Sequence, residues 1–185
     1  GTEKKEMVAL TGKFKGRKGE ELSKKESSDL KIKRNSSIVW MDDRWVYKEI
    51  LPYIHQANKN AGWNFDFDIS ESCQFTKYKL KQYYDWHRDS WNEPYKKEND
   101  LKFNGKVRKL SVSVLLSDPK DYKGGDLDFC IRDEEPDKKP TIIKLKSLKK
   151  GSIVVFPSFM WHRVKPVTKG TRYSLVIWSC GEPFR

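Results

Sequence analysis

After Gly62 the chain stops repeating like a helix and begins to alternate. Trp63, Phe65, Phe67 and Ile69 interleave with Asn64, Asp66 and Asp68, a period of two that suits a strand with one buried face. Short runs in the same style follow: "CQFTKYKL", "YYDWHRD", "KLSVSVLLS", "GDLDFCI", "TIIKLK", "GSIVVFP", "WHRVKPV" and "TRYSLVIWS". Clusters of Gly, Pro and Asp separate them, among them "DPKDYKGGD" and "VTKGT". This succession constrains the fold most, because each strand presents an apolar face that needs a second layer to cover it. It predicts a mainly β protein, a sandwich or jelly roll.

One helical segment precedes the strands. Val46, Ile50, Ile54, Ala57 and Ala61 recur at helical spacing, with Asp42 or Asp43 as N-cap and Gly62 just past the end. Pro52 must kink this helix or restart it. The segment is expected to pack outside the β-barrel. Residues 1–35 are basic and rich in Lys, Glu, Ser and Gly, and are expected to form an extended arm. With 185 residues and no internal repeat, residues 1–185 are expected to be a single domain and a monomer.

Composition excludes some classes. No apolar run approaches the roughly 18 residues of a membrane helix, and the Lys-rich N-terminus lacks an apolar leader core. Cys73, Cys130 and Cys180 are odd in number and form no CxxC pair, which points to reduced thiols in a cytoplasmic protein. A net charge of +12, supplied mostly by scattered lysines, favours weak contact with polyanions and reads more simply as a solvated surface.

Three histidines are present, His55, His87 and His162. His55 lies within the helical pattern and reads as structural or exposed. His87 and Asp89 stand at i and i+2, so both side chains leave a strand on one face; alone, the pair reads as ordinary polar residues. His162 follows a buried strand and a Pro-containing turn in "GSIVVFPSFMWH". Together the three have the composition of a 2-His-1-carboxylate facial triad, which leaves three positions open on an octahedral Fe(II).

Arg172 adds a second element. If "HRVKPVTKGTRYS" is a hairpin centred near Thr168, Val164 faces Arg172 and His162 faces Ser174. His162, Val164, Arg172, Ser174 and Trp178 then share one face. An arginine pointing into a barrel is expensive unless an anion pairs with it. No acidic residue of matching parity occurs in this hairpin, so a carboxylate ligand is the economical partner.

Residues 34–184 resemble the 2-oxoglutarate- and Fe(II)-dependent oxygenases of the prolyl 4-hydroxylase-like group, in a style closest to PKHD-type hydroxylases. The resemblance rests on "QFTKYKLKQYYDWHRDS", "LSVSVLLSDPKDYKGGDLDF" and "GSIVVFPSFMWHRVKPVTKGTRYSLVIWS", with Arg172 ten positions after His162. It implies a double-stranded β-helix with His87, Asp89 and His162 on iron and Arg172 on the far carboxylate of 2-oxoglutarate. Tyr78 and Ser174 would support that co-substrate, and Trp178 would lie near iron and substrate. Leu115 stands where some prolyl hydroxylases carry a second tyrosine.

The implied reaction uses O2, releases succinate and CO2, and takes ascorbate as an accessory reductant. The implied substrate is a prolyl residue of a peptide or protein. Tyr84, Trp86, Trp91, Tyr95 and Trp161 are near the ligands in sequence and suit a proline-rich segment. They would equally stack on nucleobases, so nucleic acid and small molecules remain alternative substrates. A non-catalytic basic nucleic-acid-binding module would explain the charge but not the ligand set. Finally, "SWNEPYKKENDLKFNGKV" is too polar and aperiodic for a core strand and is expected to be a long loop acting as a mobile lid.

Overall fold

The computed structural model describes residues 6–9, 23–91, 93–131, 139–146 and 148–184. In chain order the elements are β1 (Met7–Val8), α1 (Lys24–Lys33), β2 (Arg34–Asn35), β3 (Ser37–Met41), α2 (Arg44–Asn60), β4 (Ile69–Ser70), β5 (Cys73–Tyr78), β6 (Tyr83–His87) and β7 (Val107–Leu115). There follow β8 (Tyr122–Gly124), β9 (Leu127–Ile131), β10 (Thr141–Leu145), β11 (Ile153–Pro157), β12 (Trp161–Val164), β13 (Val167–Gly170) and β14 (Arg172–Gly181).

Among the described residues the strands form a large sheet, β1-β3-β5-β14-β7-β11 with β4 beside β14, and a smaller one, β10-β9-β12-β6-β2. All ladders in both sheets are antiparallel. The expected mainly β jelly roll is present, with its helical segment outside the barrel. No helix among the described residues is long and apolar enough to cross a membrane.

Strand alternation sorts the large sheet into two faces. Cys73, Leu110, Val112, Val114, Leu175 and Ile177 point outward and meet Val46, Ile50 and Ile54 of α2 in one apolar cluster. A second cluster, Tyr78, Leu127, Phe129, Phe156, Val164 and Val167, fills the space between the sheets. Helix α2 follows the expected i, i+4 spacing, with Asp43 at its N-cap and Gly62 at φ 68 beyond its end. It runs through Pro52, which lies on its exposed side. In place of Ala57, Asn58 completes the buried stripe.

Asn58 also explains why the alternating run after Gly62 is shorter as a strand than expected. Residues 63–69 alternate in burial, but only Ile69–Ser70 joins a ladder. The Asn58 amide donates to the Phe65 carbonyl (2.9 Å) and accepts from the Phe65 N–H (3.0 Å), the bonds a neighbouring strand would otherwise make. Period two therefore marks alternating burial here, not strand pairing.

The N-terminal arm is extended at Met7–Val8, which pairs with β3, but departs from the expected form at Lys24–Lys33, which is helical. The helix starts on a reciprocal cap: the Ser23 N–H donates to Glu26 Oε2 (3.0 Å) and the Glu26 N–H to Ser23 Oγ (3.2 Å). Its end is fixed to β6, where the Tyr83 hydroxyl donates to the Lys31 and Ile32 carbonyls (both 3.0 Å). The rest of the arm, residues 1–5 and 10–22, lies outside the described residues.

The expected hairpin from His162 to Ser174 does not form. Strand β12 pairs with β6 and β9 in the small sheet, whereas β14 pairs with β5 and β7 in the large one. Between them β13 pairs with β8. Gly170 makes this crossing tight: its φ is 70, and a Cβ there would stand 2.0 Å from the Asp121 carbonyl oxygen. The two strands face each other across the barrel, so the expected inward residues do converge, from opposite sheets.

Candidate metal and anion site

His87 closes β6 and His162 lies on β12, directly opposite it in register. Asp89 comes two residues after His87, where the N–H groups of Asp89 and Ser90 both donate to the Ser158 carbonyl (2.9 and 3.0 Å). This strap turns the Asp89 carboxylate back between the sheets. All three side chains are buried, and their ligand atoms lie within 4.8 Å of one another. His162 Nε2 is 3.4 Å from Asp89 Oδ2, and His87 Nε2 is 3.8 Å from Asp89 Oδ1.

The histidine tautomers follow from their partners. His87 Nδ1 lies 2.7 Å from the Asp85 carbonyl and His162 Nδ1 lies 2.9 Å from the Met160 carbonyl. A carbonyl can only accept, so both Nδ1 atoms carry a proton, and in the neutral ring that leaves the lone pair on Nε2. Burial, aided by the neighbouring His162, holds His87 well below the usual imidazole range. Burial alone would push the Asp89 carboxyl up, but His162, His87 and Arg108 outweigh it and hold Asp89 well below the usual carboxylate range. A lone pair on each Nε2 beside an ionised carboxylate is what a divalent cation requires of this cluster. Two nitrogens and one oxygen suit Fe(II) with coordination positions left open.

Asp89 is braced from the large sheet. Ser111 Oγ donates to Asp89 Oδ2 (2.7 Å), and Ser158 Oγ stands 2.9 Å from Ser111 Oγ. Trp178 turns its buried indole N–H toward the same carboxylate without reaching hydrogen-bond geometry. The Tyr84 ring stacks on His87, with centroids 3.4 Å apart, and burial pushes its hydroxyl up to about 12. Trp91 is less intimate: the residue is 45% exposed, and its ring packs on Arg108 and Tyr95.

Arg172 opens β14, opposite Tyr78 of β5, and is 3% exposed. Its Nη1 donates to Ser174 Oγ (3.0 Å), and the guanidinium stands 5.6 Å from the Tyr78 ring. No carboxylate among the described residues pairs with it. The "GGD" turn lies against its stem, since a Cβ on Gly125 would meet Arg172 Cδ at 2.8 Å. Tyr78 packs with Phe129 and Phe156, and both of those rings pack on His162. One apolar wall thus joins the arginine to the histidine pair. Leu115 faces Ser174 across the ladder.

Sequence reasoning missed several partners: Ser111, Ser158, Glu71 and Arg108. Arg108 was hidden by parity, because Leu110, Val112 and Val114 of the same strand face outward. A bulge between Ser179 and Cys180 of β14 shifts the register there and turns Arg108 inward, over Trp178.

The same block of chain matches known proteins. Residues 73–180 fit the model of the 2OG-Fe(II) oxygenase superfamily. A PKHD-type hydroxylase of Gloeothece citriformis is 42% identical over 69 residues, covering 37% of this chain and 28% of the relative. One from Psychrobacter is 35% identical over 104 residues, covering 56% and 36%. In these matches the chain spans only about a quarter to a third of the relatives' length.

Among solved structures, a Pseudomonas putida prolyl-4-hydroxylase superposes with TM-score 0.56 at 22% identity, over 80% of this chain and 73% of that one. The viral collagen prolyl hydroxylase of Paramecium Bursaria Chlorella virus-1 gives 0.57 at 24%, over 84% of each chain. These likenesses establish the shared fold. Since the family model spans more than half of the sequence, the chain belongs to the 2OG-Fe(II) oxygenase superfamily.

Proposed function

We propose that this chain is an Fe(II)- and 2-oxoglutarate-dependent dioxygenase that hydroxylates a prolyl residue in a peptide or protein. His87 Nε2, His162 Nε2 and the Asp89 carboxylate would hold the iron, and Arg172 with Ser174 and Tyr78 would hold the distal carboxylate of 2-oxoglutarate. With iron, co-substrate and O2 bound, the group supplies an oxidation in which one oxygen atom enters succinate as CO2 leaves and the other enters a substrate C–H bond. The observation that carries this reading is Arg172: a buried guanidinium with no carboxylate partner among the described residues, joined through Tyr78, Phe129 and Phe156 to His162.

The chain's own residues bind, orient and exclude water. Asp85 and Met160 hold the imidazoles in the ligating tautomer through their carbonyls. Ser111 fixes the Asp89 carboxylate, leaving its other oxygen free to ligate. Phe129, Phe156 and Tyr84 shield the histidines from bulk water, which strengthens every charge interaction inside. Three free cysteines suit a reducing, cytoplasmic setting, with ascorbate or another small reductant keeping iron ferrous.

The prolyl substrate is supported by the prolyl hydroxylases among the solved structures of this fold and by the aromatic side chains near the site, Tyr84 and Trp91. The test is turnover of 2-oxoglutarate to succinate with Fe(II) against proline-containing peptides, oligonucleotides and free amino acids. Peptide-dependent succinate with a 16 Da gain on proline is the expected result. Turnover stimulated only by oligonucleotides or free amino acids would overturn the peptidyl substrate and leave the oxygenase standing.

A further inference from the structure

The segment between β6 and β7 leaves the ligand cluster at Asp89 and returns at Val107, and one buried charge cluster holds both ends. Arg108 is 6% exposed and donates Nε and Nη2 to the Glu71 carboxylate (2.6 and 2.5 Å). Its Nη1 donates to the backbone carbonyl of Asp89 (3.3 Å). The guanidinium lies over Trp178 at 3.9 Å and over Trp91 at 4.9 Å. From the middle of the segment, Tyr95 donates its hydroxyl to the same Glu71 carboxylate. The Tyr95 backbone is pinned in turn, accepting from Gly105 N–H (2.8 Å) and donating to the Lys106 carbonyl (2.9 Å).

Buried ion pairs stabilise folds poorly, because desolvation offsets the attraction. This pair therefore needs a reason beyond stability, and its third bond supplies one. Nε and Nη2 go to Glu71, and Nη1 goes to the residue that carries the carboxylate of the cluster. We propose that Arg108, oriented by Glu71 and Tyr95, is a positioning residue for Asp89, and that it links docking of residues 93–106 to metal affinity. The proposal rests on the assignment of His87, Asp89 and His162 as the metal ligands. Linkage is reciprocal: if docking strengthens metal binding, metal must strengthen docking by the same factor.

The test measures Mn(II) affinity by electron paramagnetic resonance and hydrogen exchange of residues 93–106 on the full chain. Tyr95→Phe keeps the ring and removes the bond to Glu71. Arg108→Lys keeps the charge and removes the fork. Both variants should weaken Mn(II) binding by about tenfold, the low end for loss of an outer partner of a metal ligand. Mn(II) should slow exchange of residues 93–106 in the parent protein and do so less in Tyr95→Phe.

Ile54→Val, which lowers stability through the far side of the large sheet, serves as control and should keep parental Mn(II) affinity. Faster exchange of residues 93–106 in Tyr95→Phe with unchanged Mn(II) affinity would overturn the linkage. So would an equal loss of affinity in Ile54→Val, which would make the effect general destabilisation. Absence of Mn(II) binding in the parent protein would instead tell against the metal site itself.

Discussion

The two faces of the large sheet are made by the same strands and do opposite work. Outward, Cys73, Leu110, Val112, Val114, Leu175 and Ile177 close on α2 without a charge among them. Inward, Gln74, Thr76, Ser111, Arg172 and Ser174 are as deeply buried, each 3% exposed or less, yet all are polar. Burial of the first set removes apolar area from water at about 25 cal/mol per Å². Burial of the second set gains little, since each polar group only exchanges water for a protein partner. The outer face therefore serves folding alone, whereas the inner face sets these polar, chemistry-bearing side chains beside the second apolar cluster at a cost in stability.

The largest effect should come from the inner face. His162→Ala removes a nitrogen from the three-residue cluster and should weaken Mn(II) or Fe(II) binding by more than the roughly 10–100-fold typical of an outer partner. Titration calorimetry on the folded variant would measure it. Parental affinity would remove His162 from the metal site.

The outer face should answer in stability alone. Ile54 is fully buried against β-strand side chains, and Ile54→Ala should cost about 2–5 kcal/mol in urea unfolding. Metal affinity of the folded fraction should stay at the parental value. If it falls in step with stability, the two faces are not separable in the way their composition suggests.

Arg172→Met sharpens the contrast, because it should move the two quantities in opposite directions. The side chain keeps its length and loses a buried charge that no carboxylate among the described residues neutralises. Binding of 2-oxoglutarate should weaken by about 2–5 kcal/mol, as for loss of one partner in a buried charge pair. Unfolding of the ligand-free protein should shift to higher urea by about 1–3 kcal/mol. A variant less stable than the parent would show that Arg172 is structural.

Which features were legible in the sequence follows the same division. Strand and helix periods exposed the outer face, because Val46, Ile50 and Ile54 and the alternating apolar residues of β7 and β14 face one cluster. The metal cluster was legible because His87, Asp89 and His162 stand out by residue type and the surrounding motifs resemble a known family. Pairing was not legible: an inward parity for His162 and Arg172 fits one hairpin or two facing sheets equally well, and a β8–β13 crossing chose the second. Partners set by irregularity were also hidden. The bulge that turns Arg108 inward and the Asn58 side chain that replaces a strand for Phe65 leave no periodic trace. The capping pair Ser23 and Glu26 was readable from its spacing, and it marks the start of α1 within an arm whose composition alone suggested an extended chain.

The smallest expected effect isolates what a single neutral hydrogen bond contributes on the inner face. Ser174 is 2% exposed and accepts from Arg172 Nη1, two residues earlier on the same strand and the same face. Ser174→Ala leaves the guanidinium in place and frees that donor, while removing one hydroxyl. In the ligand-free protein the loss is offset in part, because the hydroxyl no longer has to be desolvated, so unfolding should move by less than about 1 kcal/mol. With 2-oxoglutarate the bond's second role appears: without Ser174 the guanidinium must be ordered at the moment of binding, and the side-chain freedom lost then costs about 0.5–1.5 kcal/mol. The dissociation constant for 2-oxoglutarate should rise severalfold with Mn(II) affinity unchanged, which calorimetry in the presence of saturating Mn(II) would measure. A loss as large as that of Arg172→Met would mean that Ser174 itself binds the carboxylate and that the division of labour between the two residues is wrong.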